Sequence, residues 1–579
     1  MNSPRPKYEG WLYGLAFLIA IGFRLIQLGA SPLTDSEARL ALQALQLAQG
    51  ARPLLAPQPA YILFTSLLFW IAEATNFTAR LLPALAGSAL VLAPRLFRDR
   101  LKPLPALILA FLLAFDPALT ALSRQANGTI LALTCLLFAW GMGRNGRAIP
   151  AGIFAALALL SGPSIWSGFL MLILPLILIQ RSKPALTNHQ FTNHQFTNHQ
   201  FTNYQFPAFL ASILLAGTLF FTVPNGLSAF FASLPAYLQG WTAPSVFTPG
   251  RVLFTFLAYE PLGIFLAVLA LIRGFRLRSP RVTRLSLWLG LSLLLAVFYR
   301  QPGELVWTVI PLLILAAQEL SRAFDIYPAE RVEVGVVAGA MLILLIYIWF
   351  NVANIGLNPY EHFTPTTLLL LNRVVTLPFG PRYVILFGAA LILIISAILV
   401  AFGWSPRTAR LGATWSFSLF LGVYAIAAAW GASGVRLPNG VELWSADQPP
   451  VHVDLLVDSV QQASLFSAGH ITAQPVTVLG VNSPALEWAL RGREVKLATA
   501  LDPLNPPPLL ITPLMNEPGL SSAYRGQDFT WRQPIAWETI QWPDWIRWLV
   551  YRQLPRETET LLLWVRDDLF PDARQNGQP

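Results

Sequence analysis

The chain has 579 residues, of which 55% are hydrophobic and 12% charged, with a mean hydropathy of +0.54; a soluble domain does not have that composition. The formal charge of +10 does not mark a nucleic-acid binder, because the bases sit mostly in short loops between apolar runs, the pattern of cytoplasmic loops in membrane proteins. The single Cys135 excludes an internal disulfide and leaves the redox compartment unreadable.

Apolar runs of about 15–22 residues recur from residue 9 to residue 433, long enough to cross a hydrocarbon core of roughly 30 Å. Residues 1–433 therefore read as an all-α polytopic membrane domain. Arg5 and Lys7 precede the first run, and no small-residue cleavage site precedes Asp35, so the start reads as an uncleaved signal anchor with a cytoplasmic N-terminus. The first span, 9–30, leads to an outer loop, 31–78, in which the short apolar run 61–71 reads as interfacial or re-entrant. Spans follow at 79–97, 103–122, 126–142, 148–162, 164–180, 207–223, 251–272, 285–299, 304–320, 333–355, 382–403 and 411–432, about thirteen in all. With this count the bases at 95–102, 144–147, 181–183, 273–284 and 407–410 all fall on the cytoplasmic side. The arginines of 273–284 read as topology determinants and lipid-headgroup contacts.

Residues 187–206 repeat TNHQF three times and then TNYQF. His189, His194 and His199 at five-residue spacing do not stay on one helical face, and the period matches no repeat architecture. The segment 183–206 reads as a disordered cytoplasmic insert.

Residues 434–579 are different in kind, with 16 acids against 11 bases, many prolines and no spanning run. PVTVLGV (475–481), VKLAT (495–499), PLLIT (508–512) and TLLLWVR (560–566) read as short buried strands, and PALEWALRGR and PDWIRWLVYRQL as helices. Their alternation implies a small α/β domain, extracytoplasmic after an odd number of spans. His452 and His470 read as structural histidines of this part. Glu361-His362, in an outer loop 356–380, reads as a solvated pair. Asn76-Phe77-Thr78 matches a glycosylation sequon of high chance frequency.

The chemistry-bearing candidate is the acidic pair in Thr34-Asp35-Ser36-Glu37-Ala38. Its local reading is a helix start. Thr34 and Glu37 fit the capping box, Asp35 lies in the first turn where the dipole favours an anion, and Gly50 stops an amphipathic helix. That reading explains every residue without catalysis.

Several stretches in order, TDSEAR with its amphipathic helix, ARLLPALAGSALVLAPRLFRDR at 79–100 and LSRQAN at 122–127, resemble the membrane glycosyltransferases of the GT-C fold, in particular glycosyltransferase family 39. SPALEWALRGR, WPDWIRWLVYRQLP and LLLWVRDDLF resemble a subgroup described as flippase-activity-associated proteins. The resemblance implies a GT-C-like membrane domain, a polyprenyl-phosphate-linked sugar as donor, and a glycan, lipid or protein acceptor on the extracytoplasmic face. It assigns the acid role to Asp35 or Glu37 and donor-phosphate binding to Arg300, Arg124 or Arg80, placed at outer span ends. Ser36 separates two acids that are adjacent in the family, and a second acid that some members carry near LSRQAN is lacking. A divalent metal ion is compatible with this chemistry and not demanded by it. The alternative is a non-enzymatic component that assists lipid-linked glycan translocation. A transporter ranks third, since the spans read as nearly free of ionisable residues except Arg24, which is expected to snorkel toward an end.

Overall fold

The computed structural model describes residues 8–181, 199–360, 366–370, 373–377, 380–435, 441–444, 447–502, 504–517 and 519–570. Glu361-His362 and the histidines 189 and 194 lie outside the described residues. Five helices among them are long and apolar enough to cross a membrane: Pro280–Tyr299, Pro302–Ala323, Pro328–Leu357, Pro381–Gly403 and Pro406–Ala432. Three more candidates are bent pairs: Pro103–Phe115 with Pro117–Ser123 (56°), Ala148–Leu160 with Ser164–Pro175 (119°), and Pro249–Tyr259 with Pro261–Arg276 (88°). Each bend has a local cause. Pro117 and Pro261 have no N–H to give to the preceding turn, and Gly162-Pro163 separates Ala148–Leu160 from Ser164–Pro175, with Gly162 at φ +118°.

The 61–71 run forms the helix Pro59–Ile71. Thirteen residues make about 20 Å of helix, short of the roughly 30 Å core. Its start is tied to the Thr129–Arg144 helix, since Gln58 Oε1 accepts from the Gly128 N–H at 2.7 Å. Its far end meets the C-terminal part, where Phe69 packs on Trp488 with ring centroids 5.8 Å apart.

The tandem repeat departs from expectation in its last units. The helix begins at His199 and runs to Gly217, where a span was expected at 207–223. Its neighbour across the bundle provides the reason. Gly152 approaches so closely that a Cβ there would stand 2.5 Å from the Gln205 carbonyl oxygen, so the helix is packed from that point on. Left-handed backbone at Leu219, Phe220 and Phe221 then ends it.

A hairpin of β1 (Thr366–Leu370) and β2 (Arg373–Leu377) lies in the 356–380 connection. The C-terminal part holds a five-stranded sheet of β3 (Val476–Leu479), β4 (Val495–Ala498), β5 (Leu509–Pro513), β6 (Tyr524–Arg532) and β7 (Glu559–Arg566) in the order β4-β3-β5-β7-β6. β3 pairs in parallel with β4 and β5, and β7 antiparallel with β5 and β6. The helices Val453–Ala468, Pro484–Ala489 and Trp542–Tyr551 accompany it. Strand β6 and the Val453–Ala468 helix had no sequence counterpart. The first half of β6 is polar and exposed at the sheet edge, so it carries no alternation.

One apolar cluster joins the two parts. Ala38, Ala41 and Ala44 of the Asp35–Ala48 helix and Tyr61 belong to the same buried set as Leu456, Val476, Ile511, Trp531 and Leu563 around the sheet. The sheet is thereby seated on the 31–78 loop. The opposite helix ends carry the bases, among them Arg98 paired with Glu9, Arg273 with Glu319, and Arg407 with Glu330.

Candidate functional site

The start of the Asp35–Ala48 helix is built as the spacing predicts. The Glu37 N–H donates to Thr34 Oγ1 at 3.4 Å, and the Thr34 N–H donates to Glu37 Oε2 at 3.0 Å. Glu37 does more than cap. Arg80, on the helix Asn76–Leu90, donates from Nε to Oε1 at 2.8 Å and from Nη2 to Oε2 at 2.7 Å, a bidentate pair whose side chains are each 7% exposed. The Ala126 N–H donates a further bond to Oε1 at 2.8 Å. Burial pushes the Glu37 carboxyl up, but the Arg80 charge and hydrogen bond, with the Thr34 and Ala126 N–H groups, hold it below the usual carboxylate range. The other Arg80 donors reach the carbonyls of Leu28, Ser31 and Pro32. Two of the candidates, one acid and one arginine, are thus committed to each other.

Asp35 faces the other way, toward the sheet. It accepts from Ser483 Oγ at 2.7 Å and from the Ala485 N–H at 3.0 Å, and it forms an ion pair with Arg532. Burial raises its carboxyl, yet the Arg532 and Ala485 bonds, the Ser483 bond and the Arg532 charge together hold it below the usual range. Asp447 joins the same helix start, accepting from the Ser36 N–H at 3.2 Å. Three carboxylates therefore surround one helix N-terminus.

The remaining arginines differ from each other. Arg124 donates to the carbonyls of Phe23, Arg24, Ile26 and Gln27, the last turn of the Glu9–Leu25 helix and the residues after it, and so closes orphan acceptors there. Arg300 follows the Pro280–Tyr299 helix in the left-handed region at φ 57°. Its carbonyl accepts from Ser245 Oγ at 2.9 Å. Among the described residues its guanidinium has no hydrogen-bond or ion-pair partner. Left-handed backbone there closes the helix, as it does at Arg552 after the Trp542–Tyr551 helix.

Several buried polar groups are not among the sequence-predicted site residues. Asp116 and Glu260 sit at two of the helix bends, each 3% exposed, and interact with one another. Arg24, expected to snorkel, is instead fully buried and donates to Ser123 Oγ and to the carbonyls of Ala20, Leu113 and Ala114. Glu304 accepts from Ser164 Oγ at 3.0 Å, which in turn accepts from Trp307 Nε1 at 3.1 Å. Tyr259 donates to Glu442, and Arg552 lies over the Tyr259 and Trp548 rings. The signal that marks the first pair is an acid directly before proline inside an apolar run, Asp116-Pro117 and Glu260-Pro261. His452 and His470 are exposed. Among the described residues no group of three or more His, Cys, Asp or Glu is placed to hold a metal ion.

No family model and no curated protein matches the chain. Solved structures do. The crystal structure of ArnT from Cupriavidus metallidurans bound to undecaprenyl phosphate matches with a TM-score of 0.55 and 14% identity, covering 97% of this chain and 99% of that one. The apo form of the same ArnT matches with a TM-score of 0.51 and 15% identity, over 87% of this chain and 93% of that one. At such identities the likeness speaks for the fold. The chain has the GT-C fold that its sequence resembles, and it is a multi-pass helical membrane protein.

Proposed function

We propose that the chain is an integral membrane glycosyltransferase that moves a sugar from a polyprenyl-phosphate-linked donor to a glycan, lipid or protein acceptor on the extracytoplasmic face of the cytoplasmic membrane. The observation that carries this reading is the likeness in fold, over nearly the whole of both chains, to a protein that binds undecaprenyl phosphate. The topology belongs to the proposal: about thirteen passes in residues 1–433, the N-terminus cytoplasmic, and residues 434–579 a small extracytoplasmic α/β domain. The gathering of Arg98, Arg273 and Arg407 at the helix ends away from the sheet supports it.

In the reaction proposed, Asp35 takes the proton of the acceptor hydroxyl as its oxygen attacks the anomeric carbon. The bond from that carbon to the lipid phosphate breaks, and the phosphate leaves with the electron pair. Arg532 keeps Asp35 ionised, the form a base requires. Arg300, with its donors uncommitted among the described residues, suits the phosphate because guanidinium offers paired donors in a fixed fork. Glu37, Arg80 and Arg124 hold the site's frame. No step calls on a metal ion.

A second reading, a non-enzymatic component assisting lipid-linked glycan translocation, is favoured by one observation: Asp35 and Glu37 each already hold several partners within the protein. Transfer of a labelled sugar by purified protein separates the two. Across a panel of polyprenyl-phosphate sugars, the enzyme reading expects turnover with at least one donor, and an Arg300→Ala variant with a donor KM raised about tenfold or more, as for a lost charge-assisted bond. No transfer by wild type from any donor moves the accessory reading ahead.

A further inference from the structure

We infer that the cleft where the C-terminal part meets the end of the Arg331–Leu357 helix is a binding site for a phosphorylated polyol, its anion held by Arg547 with Arg556 beside it. The cleft is open to solvent on one side, with Arg547 and Gln553 exposed at it, and offers about 450 Å³, within the range of small-ligand sites. Tyr360, Gln533, Asp544, Arg547, Gln553 and Arg556 line it. The acid among them faces neutral donors with one oxygen, since Asp544 Oδ2 accepts from Tyr360 OH at 2.7 Å and from the Gln541 N–H at 2.9 Å. The amide oxygens are used as well. Gln553 Oε1 accepts from Arg547 Nε at 3.2 Å, and Gln533 Oε1 accepts from Arg556 Nη1 at 3.1 Å.

What remains on the walls is a surplus of donors: the Arg547 Nη groups and the two amide NH₂ groups. Such a wall is complementary to a ligand rich in acceptors. Guanidinium takes phosphate through paired bonds, while carboxamides bond to hydroxyls. Together they select a sugar or glycerol that carries a phosphate, over either a neutral sugar or a bare anion. The chemistry is shared by a sugar phosphate and by a glycerophospholipid headgroup, and Tyr360 is only three residues beyond the end of a membrane-length helix. The site is distinct from the acidic pair, although the two share one strand end: Arg532 reaches Asp35 while Gln533 lines the cleft. The inference stands independently of the transferase reading.

The full chain in phosphatidylcholine nanodiscs, titrated calorimetrically with mannose 6-phosphate, mannose and inorganic phosphate, tests it. Mannose 6-phosphate should bind saturably and at least about tenfold more tightly than the other two. Arg547→Ala and Gln553→Ala should each weaken it about tenfold or more, and Lys496→Ala, on β4, should not. Adding phosphatidylglycerol to the nanodiscs identifies the source: competition assigns the site to a lipid headgroup, and its absence assigns it to a soluble sugar phosphate. Failure of both mannose 6-phosphate and phosphatidylglycerol to bind overturns the inference. So does binding that is unchanged in Arg547→Ala and Gln553→Ala proteins that melt like wild type.

Discussion

Glu37 and Arg80 form a buried bidentate pair, and the energetics of such a pair are asymmetric. Removing one partner leaves a charge in a low-dielectric site, a cost of about 3–5 kcal/mol. Glu37→Gln therefore destabilises the protein by about that amount, well above the 0.5–2 kcal/mol or so of a lost cap, and lowers the melting temperature of the detergent-solubilised chain. A variant that melts like wild type would place Glu37 outside the frame. The contrast with Asp35 rests on geometry: Glu37 is held within the loop and membrane helices, whereas Asp35 is held by the C-terminal part. Sequence made the capping box legible because its partners are three residues apart. The Arg80 partner is 43 residues from Glu37, and Ser483 is 448 residues from Asp35, so no local pattern reports either contact.

At the scale of elements, hydropathy and turn chemistry located the long helices and four of the strands of the sheet. They failed where tertiary packing decides. Strand β6 is polar along its edge and holds its place through its ladder with β7. The His199–Gly217 helix extends into the polar repeat because Gly152 lets it pack closely around Gln205. The repeat therefore divides in its effects. Deleting residues 187–196, two units, should leave membrane accumulation near wild type. Deleting 187–206 removes the first two turns of the helix and should reduce it several-fold. Equal accumulation of the two deletions would mean those turns carry no packing.

For the whole molecule, the apolar cluster shared by the Asp35–Ala48 helix and the sheet makes the C-terminal part a component of the 31–78 end. The proposed thirteen-pass topology then predicts opposite signals from reporters fused at residues 279 and 440, and equal signals would mean a miscounted pass. The same architecture explains what the sequence left open about the site. Asp35 and Arg300 are on separate elements: Asp35 is held by Ser483 and Arg532, far away in the chain, whereas the Arg300 guanidinium is uncommitted among the described residues. The central claim is that Asp35 is the base of a sugar transfer. Its most direct measurement is the single-turnover rate of labelled-sugar transfer by Asp35→Asn protein at saturating donor and acceptor, with folding checked by melting temperature. The account predicts a rate about 100-fold or more below wild type, the scale of a lost general base, in a protein that stays folded. A folded Asp35→Asn variant that transfers at the wild-type rate would contradict it.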